Sequence, residues 1–497
     1  MFIYQMNSGS IKWIFKFILN MKKTSKNQLG IFVVSVLVVI ASACSNTKKS
    51  NISSKGTSQA ESLTDYSARG TRDVEKEVAR RMEMNLIAKP TKEQLAFHDL
   101  ELGLFIHFGL KTYTGGSEGA SPLSFNPKKL DCEQWMEVAK SMGAKYVVLT
   151  ARHEGGFCLW PTETTDYSIK SSPWKDGKGD VVREFVNACR KHDMKVGLYH
   201  SSWHDSYHTK WQDADYFKKQ GPEVQEKFTQ MQEQQVTELL TNYGPITYLW
   251  FDHHGCPGYG ANQFWHRIDK VVKKAQPSCL IFGADVWITG GHQGRAFYPL
   301  WYAQNTEDGT RMSRPLNKDK GNPWGKFYRV WEANTCVSGH WFWSGGGLRL
   351  SLDTLFSRYY ESVGRGANFL PNYAPNPDGL MPPDVVQQAK EFGDTIQELF
   401  SRPIAETSGK GQEIVLELEE PVTIKHVVIM EQLADGQKIA KYRIDAMTTG
   451  TWVEIASGQT VGHKRIHKVK RDKVKMLRFV CLDSLAKTIE IRSLAVY

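Results

Sequence analysis

The feature that most constrains this fold is a recurrence: short apolar runs, about 40–50 residues apart on average, each breaking off at an ionisable side chain. Runs at 102–108, 145–150, 195–200, 246–252, 279–285, 327–332 and 367–371 read as strands. Helical patterns follow most of them, at 133–142, 181–192, 222–243, 263–275, 350–363 and 383–400. Strands alternating with helices indicate βα units and a parallel sheet. The runs close on His107, Arg152-His153-Glu154, His200, Asp252, Asp285 and Glu332. A (β/α) barrel collects such residues at its carboxyl-terminal mouth. An open doubly wound sheet would place a glycine-rich phosphate turn after its first strand, and no GxGxxG or P-loop occurs. The expected fold is therefore α/β, a distorted (β/α)8-like (TIM-type) barrel over residues 91–402.

After Arg402-Pro403 the texture changes. Apolar residues alternate at period two (Ile414, Leu416, Leu418; Val422, Ile424), with turn signals at Asp435-Gly436 and Ser457-Gly458. Residues 403–497 read as an antiparallel β-sandwich. A chain of 497 residues accommodates both units.

The net charge of +10 would suggest a nucleic-acid partner, but residues 1–60 hold eight lysines and no acid, leaving only +2 beyond Ala60. Nucleic-acid binding loses its electrostatic support. The leader has its own reading. Lys22, Lys23 and Lys26 precede an uncharged stretch at 31–43, too short to span a bilayer, which ends Ala41-Ser42-Ala43-Cys44. This resembles a bacterial lipoprotein signal over 1–44, with Met21 as the start and Cys44 as the acylated residue; a plain secretory signal is the alternative. Either way the chain is expected to be exported, and lipid-anchored in the bacterial envelope when Cys44 is acylated. Residues 45–90 form a tether and N-terminal segment. Seven further cysteines show no CxxC or Cys/His spacing, so neither a zinc site nor a disulfide framework is indicated.

Aromatic residues reach 11%, with many tryptophans beside His, Asp or Glu. Flat apolar faces next to hydrogen-bonding groups suit sugar rings. Asp252 ends the apolar run Tyr248-Leu-Trp-Phe-Asp252, a rigid and poorly hydrated setting that suits a nucleophile. Glu332 closes Tyr328-Arg-Val-Trp-Glu332 ahead of Trp341-Phe342-Trp343, and desolvation among aromatics favours the neutral form that a general acid needs. Two carboxylates at one mouth are the minimum for glycoside hydrolysis. His107, His153 and His200 suit the hydroxyls of one sugar. A metal site is the rival: His204 and His208 stand four apart and His253-His254 add density, but no carboxylate motif completes a site. No metal and no cofactor is expected.

At this point the chain resembles the α-L-fucosidases of glycoside hydrolase family 29 over about 92–497. Gly103-Leu-Phe-Ile-His107-Phe-Gly109 is similar to the family's G-x-F-I-H-W-G, and the run from Val148 through Arg152-His153-Glu154-Gly-Gly-Phe157 to Pro161 to its L-T-A-K-H-H-D-G-F-C-L-W-P. Leu249-Trp250-Phe251-Asp252 resembles the nucleophile strand, and Val330-Trp331-Glu332 with Trp341 the W-E…W-G-Y segment. Gly364 to Asn372, with Pro375 and Asp378-Gly379-Leu380, resembles the G-x-N-x-L-L-N…P…D-G segment. The resemblance implies a retaining double displacement on glycans bearing terminal α-L-fucose, with Asp252 attacking and Glu332 as acid/base. His107, His153, His200 and Trp250 fall on sugar-binding positions, and Glu154 and Trp341 join them. Glu154 stands where the family has its second His and Gly155 where it has Asp. Glu154 thus rivals Glu332 as the acid, as does Glu307, because the stretch 286–292 lacks the glutamate that another branch carries there. The altered pocket leaves two alternatives: an α-L-galactosidase on the same scaffold, or a silent glycan-binding lipoprotein. The C-terminal segment resembles the discoidin-like sandwich that closes some of these enzymes.

Overall fold

The computed structural model describes residues 76–115, 120–201, 205, 207–208, 219–252, 261–282, 288–291, 301–304 and 321–497. Cys44 and the leader, His204, His253, His254, Asp285 and Glu307 lie outside the described residues. Among those described, no helix is long and apolar enough to cross a membrane.

Eight parallel strands close a barrel: β1 (Gly103–Ile106), β2 (Tyr146–Arg152), β3 (Lys195–His200), β4 (Tyr248–Phe251), β5 (Leu280–Phe282), β6 (Ile288–Gly291), β9 (Val330–Cys336) and β10 (Asn368–Asn372), in the order β1-β10-β9-β6-β5-β4-β3-β2. The two-residue strands β7 (Ala303–Gln304) and β8 (Phe327–Tyr328) pair with each other outside it. The longer helices after residue 91 are α1 (Lys92–His98), α2 (Cys132–Ser141), α3 (Val181–Lys191), α4 (Pro222–Thr241), α5 (Ala261–Ala275), α6 (Leu352–Ser362) and α7 (Pro383–Phe400). Their starts are written locally. Thr91 and Gln94 form a capping box on α1, Asp131 accepts from Glu133 N and Gln134 N, Asp180 from Arg183 N, and Ser351 from Thr354 N.

Strand pleating sorts the barrel into two apolar layers. Leu104, Ile106, Val147, Leu149, Leu198, Leu249, Phe251 and Ile281 face outward and pack with Trp135, Phe185, Leu239 and Phe392 of the helices. Phe105, Tyr146, Val148, Tyr199, Tyr248, Trp250, Phe282 and Val330 face inward and fill the barrel. The amino-terminal end is plugged by α1, whose Phe97 ring lies 5.1 Å from both Tyr146 and Tyr248.

Two predicted runs need correction. β6 was not among the expected strands, because a four-residue Ile-Thr-Gly-Gly segment carries almost no apolar signal. The run 327–332 is two elements: β8 ends at Tyr328, and β9 begins at Val330 and continues to Cys336. Glu332 is therefore the third residue of its strand rather than its last.

The six antiparallel strands beyond the barrel run in the order β11-β16-β12-β15-β13-β14: β11 (Ala405–Lys410), β12 (Glu413–Glu431), β13 (Ile439–Met447), β14 (Trp452–Gly458), β15 (Arg465–Ser484) and β16 (Glu490–Val496). The long β12 and β15 shift register between Glu417 and His426. Residues 476–484 of β15 pair with β13, which carries β14, while residues 427–431 of β12 pair with β16, which carries β11, so the two long strands serve both layers of a sandwich. Gly436 makes the expected turn at φ +89°, with no room for a Cβ beside the Ala88 carbonyl. Ser457-Gly458 instead ends β14, paired with Arg443 and Tyr442.

Candidate active site

At the carboxyl-terminal mouth lies a cavity of about 690 Å³. Its lining includes His107, His153, Glu154, Trp250, Asp252 and Trp341, six of the residues singled out from the sequence. Each arrives by strand geometry. Phe105 and Trp250 point inward from β1 and β4, and His107 and Asp252 continue the same parity one step past the strand ends. On β2 the register slips between Thr150 and Arg152, so Arg152 pairs with His200 instead of continuing inward. Its buried guanidinium bonds the Ser201 carbonyl and Asp205, and His153 is presented to the cavity.

Asp252 accepts a hydrogen bond from the Tyr199 hydroxyl at 3.1 Å. Burial, then the charges of Asp252 and Glu154, push the Tyr199 phenol well above its ordinary range, so it remains a donor. The Tyr199 ring is sandwiched between His153 (5.2 Å, 10°) and Trp250 (5.2 Å, 19°). His107 Nδ1 lies 2.6 Å from Asn372 Oδ1. Because Asn372 donates its Nδ2 to the Trp341 carbonyl at 2.8 Å, its oxygen faces His107, which donates from Nδ1 and keeps Nε2 as an acceptor. Burial, helped by His153, drives the His107 pKa well below the usual histidine value, so the ring is neutral. Phe342 stands edge-on to both histidines, at 5.4 and 4.9 Å. Glu154 is ion-paired with Lys111 at 3.2 Å, both mostly buried. The walls are thus aromatic, with acceptors and donors set at different points around the rim, which is the composition a sugar ring demands.

Two expected members are elsewhere. His200 points outward from β3 and is fully buried behind the barrel wall, 3.0 Å from Gln235 Oε1. Gln235 gives its Nε2 to Thr164, so its oxygen accepts from His200. Burial lowers the His200 pKa to about 3. The inward residue of that pair is Tyr199, which the sequence reading passed over and which strand alternation alone could have found. Glu332 points inward but sits below the cavity and is wholly buried. It accepts from the Tyr146 hydroxyl (3.0 Å), the Tyr248 hydroxyl (3.2 Å) and Trp250 Nε1 (3.0 Å). Burial raises its pKa to about 7 against the pull of these three donors. A carboxyl in mid-strand, roofed by Trp250, does not meet a sugar at the mouth. Glu332 is absent from the described lining of the cavity.

His208 Nδ1 bonds Asp205 at 2.7 Å and its Nε2 bonds Thr165 at 2.9 Å, bracing a loop. Among the described residues no group of three His, Cys, Asp or Glu side chains could hold a metal ion.

Known proteins give this site its context. The α-L-fucosidase family model matches residues 120–398. α-L-Fucosidase 1 of Arabidopsis thaliana is 30% identical over 429 residues, covering 77% of this chain and 82% of the plant protein. A solved structure from Bacteroides thetaiotaomicron, described as a candidate α-L-fucosidase, is 31% identical with a TM-score of 0.74, covering 83% of this chain and 99% of that one. A glycoside hydrolase 29 family member from a rumen bacterium is also 31% identical, with a TM-score of 0.71 and coverage of 83% and 77%. The barrel, the mouth that collects Asp252 and its aromatic walls, and these similarities agree: the chain belongs to the α-L-fucosidase family of glycoside hydrolases, family 29.

Proposed function

We propose that this protein is an exo-acting, retaining hydrolase that releases terminal α-L-fucose from glycans, with Asp252 as its nucleophile. The observation that carries the reading is Asp252 itself: a carboxylate held by Tyr199 and opening on a cavity walled by Phe105, Trp250, Trp341 and Phe342. An Asp252 oxygen attacks the anomeric carbon as the bond to the leaving oxygen breaks and that oxygen takes up a proton. Water, deprotonated by the same acid/base group, then cleaves the fucosyl-enzyme ester and restores both carboxyls. Neutral His107 and, beside it, His153 face the hydroxyls, and Trp250 and Trp341 cover the ring's apolar faces. The acid/base is assigned to Glu154, the other carboxyl on the described lining, or to Glu307. Export on a Cys44 lipid anchor belongs to the same proposal, and palmitate incorporation lost in Cys44→Ala tests it.

Purified 61–497 is assayed with aryl α-L-fucoside and aryl α-L-galactoside beside Asp252→Asn. Fucoside turnover falling roughly 10³-fold or more in the variant is expected. Preference for the galactoside would mean that the surroundings of Glu154 bond the extra hydroxyl, since a site built for that hydroxyl rejects the sugar lacking it. Full activity in Asp252→Asn would sink the nucleophile assignment. Azide added to Glu154→Ala and Glu307→Ala separates the acid candidates: the true one yields α-fucosyl azide from the trapped intermediate.

A further inference from the structure

We propose that Glu332 is the positioning residue of the sugar site, fixing the indole of Trp250 as the cavity floor and, through the Trp250–Tyr199 stack, the hydrogen bond that aims Asp252. The inference rests on the fucosidase reading above and gives a role to a carboxyl which that mechanism leaves unused.

The geometry forms a chain of three contacts. Glu332 Oε1 accepts from Trp250 Nε1 at 3.0 Å, and an indole has no other polar handle. The same ring is held in a slot between Phe282, 4.1 Å away and tilted 8°, and Tyr199, 5.2 Å away and tilted 19°. Tyr199 in turn donates to Asp252 at 3.1 Å. A turn of the indole out of its plane would break the bond to Glu332 and the stack with Tyr199 together. Glu332 also accepts from Tyr146 and Tyr248, whose rings rest on Phe97 of the barrel plug. The floor is thereby tied to the closed end of the barrel.

Energetics argue against simple filler. A carboxyl inside a barrel needs compensation that an apolar side chain does not, and the groups acting on Glu332 are three neutral donors with no lysine or arginine among them. What such an arrangement provides is orientation: three donors converge on one carboxyl, and only one of them belongs to a cavity-lining indole.

The test exploits shape against proton transfer. Glu332→Gln keeps the size and an acceptor for the indole, and its amide can donate to a tyrosine hydroxyl, but it transfers no proton. Its kcat/KM should stay within about tenfold of wild type, the loss of about one neutral hydrogen bond. Glu332→Ala should lose about a hundredfold, the cost of slight misplacement. That loss should be equal on α-L-fucosyl fluoride, which needs no acid, and on a fucosylated disaccharide, which does. Azide should give no fucosyl azide. Trp250→Phe keeps an aromatic ring in the slot and removes the indole N–H, so adding Glu332→Ala to it should cost almost nothing further.

If Glu332→Gln is dead on the disaccharide while the fluoride is spared, or azide yields α-fucosyl azide, Glu332 is the acid/base and the proposal is overturned. Additive losses in the double variant also overturn it, as does an unimpaired Glu332→Ala. Should Glu332→Ala fail to fold, the Gln and Phe variants carry the test. Failure of the wild type on every fucoside would count against the proposed function. L-Fucose affinity by calorimetry across the same variants then reads the floor directly.

Discussion

The sharpest contrast at the residue scale is between neighbours. Tyr199 and His200 are adjacent, yet one touches the nucleophile and the other is buried behind the wall. Both carry chemistry that could serve a sugar, but only the imidazole closes the apolar run. Asp252, His107 and His153 were legible because each lies just past a strand, where parity and mouth coincide. The contrast can be measured. Tyr199→Phe preserves the stack and removes one hydrogen bond to a carboxylate, worth about 1.5–3 kcal/mol, so kcat/KM should drop roughly ten- to a hundredfold with little change in melting temperature. His200→Ala should do the reverse, lowering stability by about 1–3 kcal/mol through the stranded Gln235 and leaving KM unchanged. A raised KM in the His200 variant would return that side chain to the site.

At the scale of the element, strands and helices were readable because their periodicities are 2 and 3.6, and α7 was expected with both bounds as found. What periodicity does not give is depth. Glu332 and Asp252 look alike as the last polar residue after an aromatic run, but β9 continues four residues past Glu332 while β4 stops before Asp252. Nor does it give a bulge, and the slip after Thr150 is what sends Arg152 outward. Close packing inside the barrel makes another prediction. A Cβ at Gly103 would come within 2.4–2.7 Å of the Tyr146 ring, itself wedged against Phe97 and bonded to Glu332. Gly103→Ala should destabilise by about 1–3 kcal/mol and depress activity through the displaced floor. Gly155, by contrast, meets nothing within 4 Å, so Gly155→Ala should leave the melting temperature where it was. Thermal unfolding of the pair checks both; equal melting temperatures would mean the barrel interior yields more easily than its packing implies.

Across the whole molecule, the buried titratable groups set a pH window for stability. His98, His107, His200, His463 and His467 all have pKa values lowered, chiefly by burial, with His200 near 3 and His467 near 4. Unfolding lets them take up protons below about pH 6.5, so their contribution is present above that pH and is lost as pH falls. Glu332 and Glu431 behave oppositely. Burial raises both to about 7, Glu431 while accepting from three backbone amides. They hold protons that the unfolded chain has released above about pH 4.5, so their contribution fades as pH rises towards 7. Burial also works against the Glu101 carboxylate, but Lys464 and His463 outweigh it and keep the group ionised across this range at the seam between barrel and sandwich. Near pH 5.5 the histidines outnumber the glutamates, so unfolding takes up protons on balance. By about pH 7 the two effects nearly cancel, because the unfolded histidines and the folded glutamates lose their last protons over the same range. The melting temperature should therefore climb steeply from pH 5 to about 6.5 and level off between about pH 7 and 8. In Glu332→Gln/Glu431→Gln, which removes the proton release on unfolding, the climb should be steeper and continue to about pH 7.5. A wild-type profile as steep as that of the double variant would show both carboxyls ionised in the folded barrel and sandwich, and would remove the protonated Glu332 from any account of the floor.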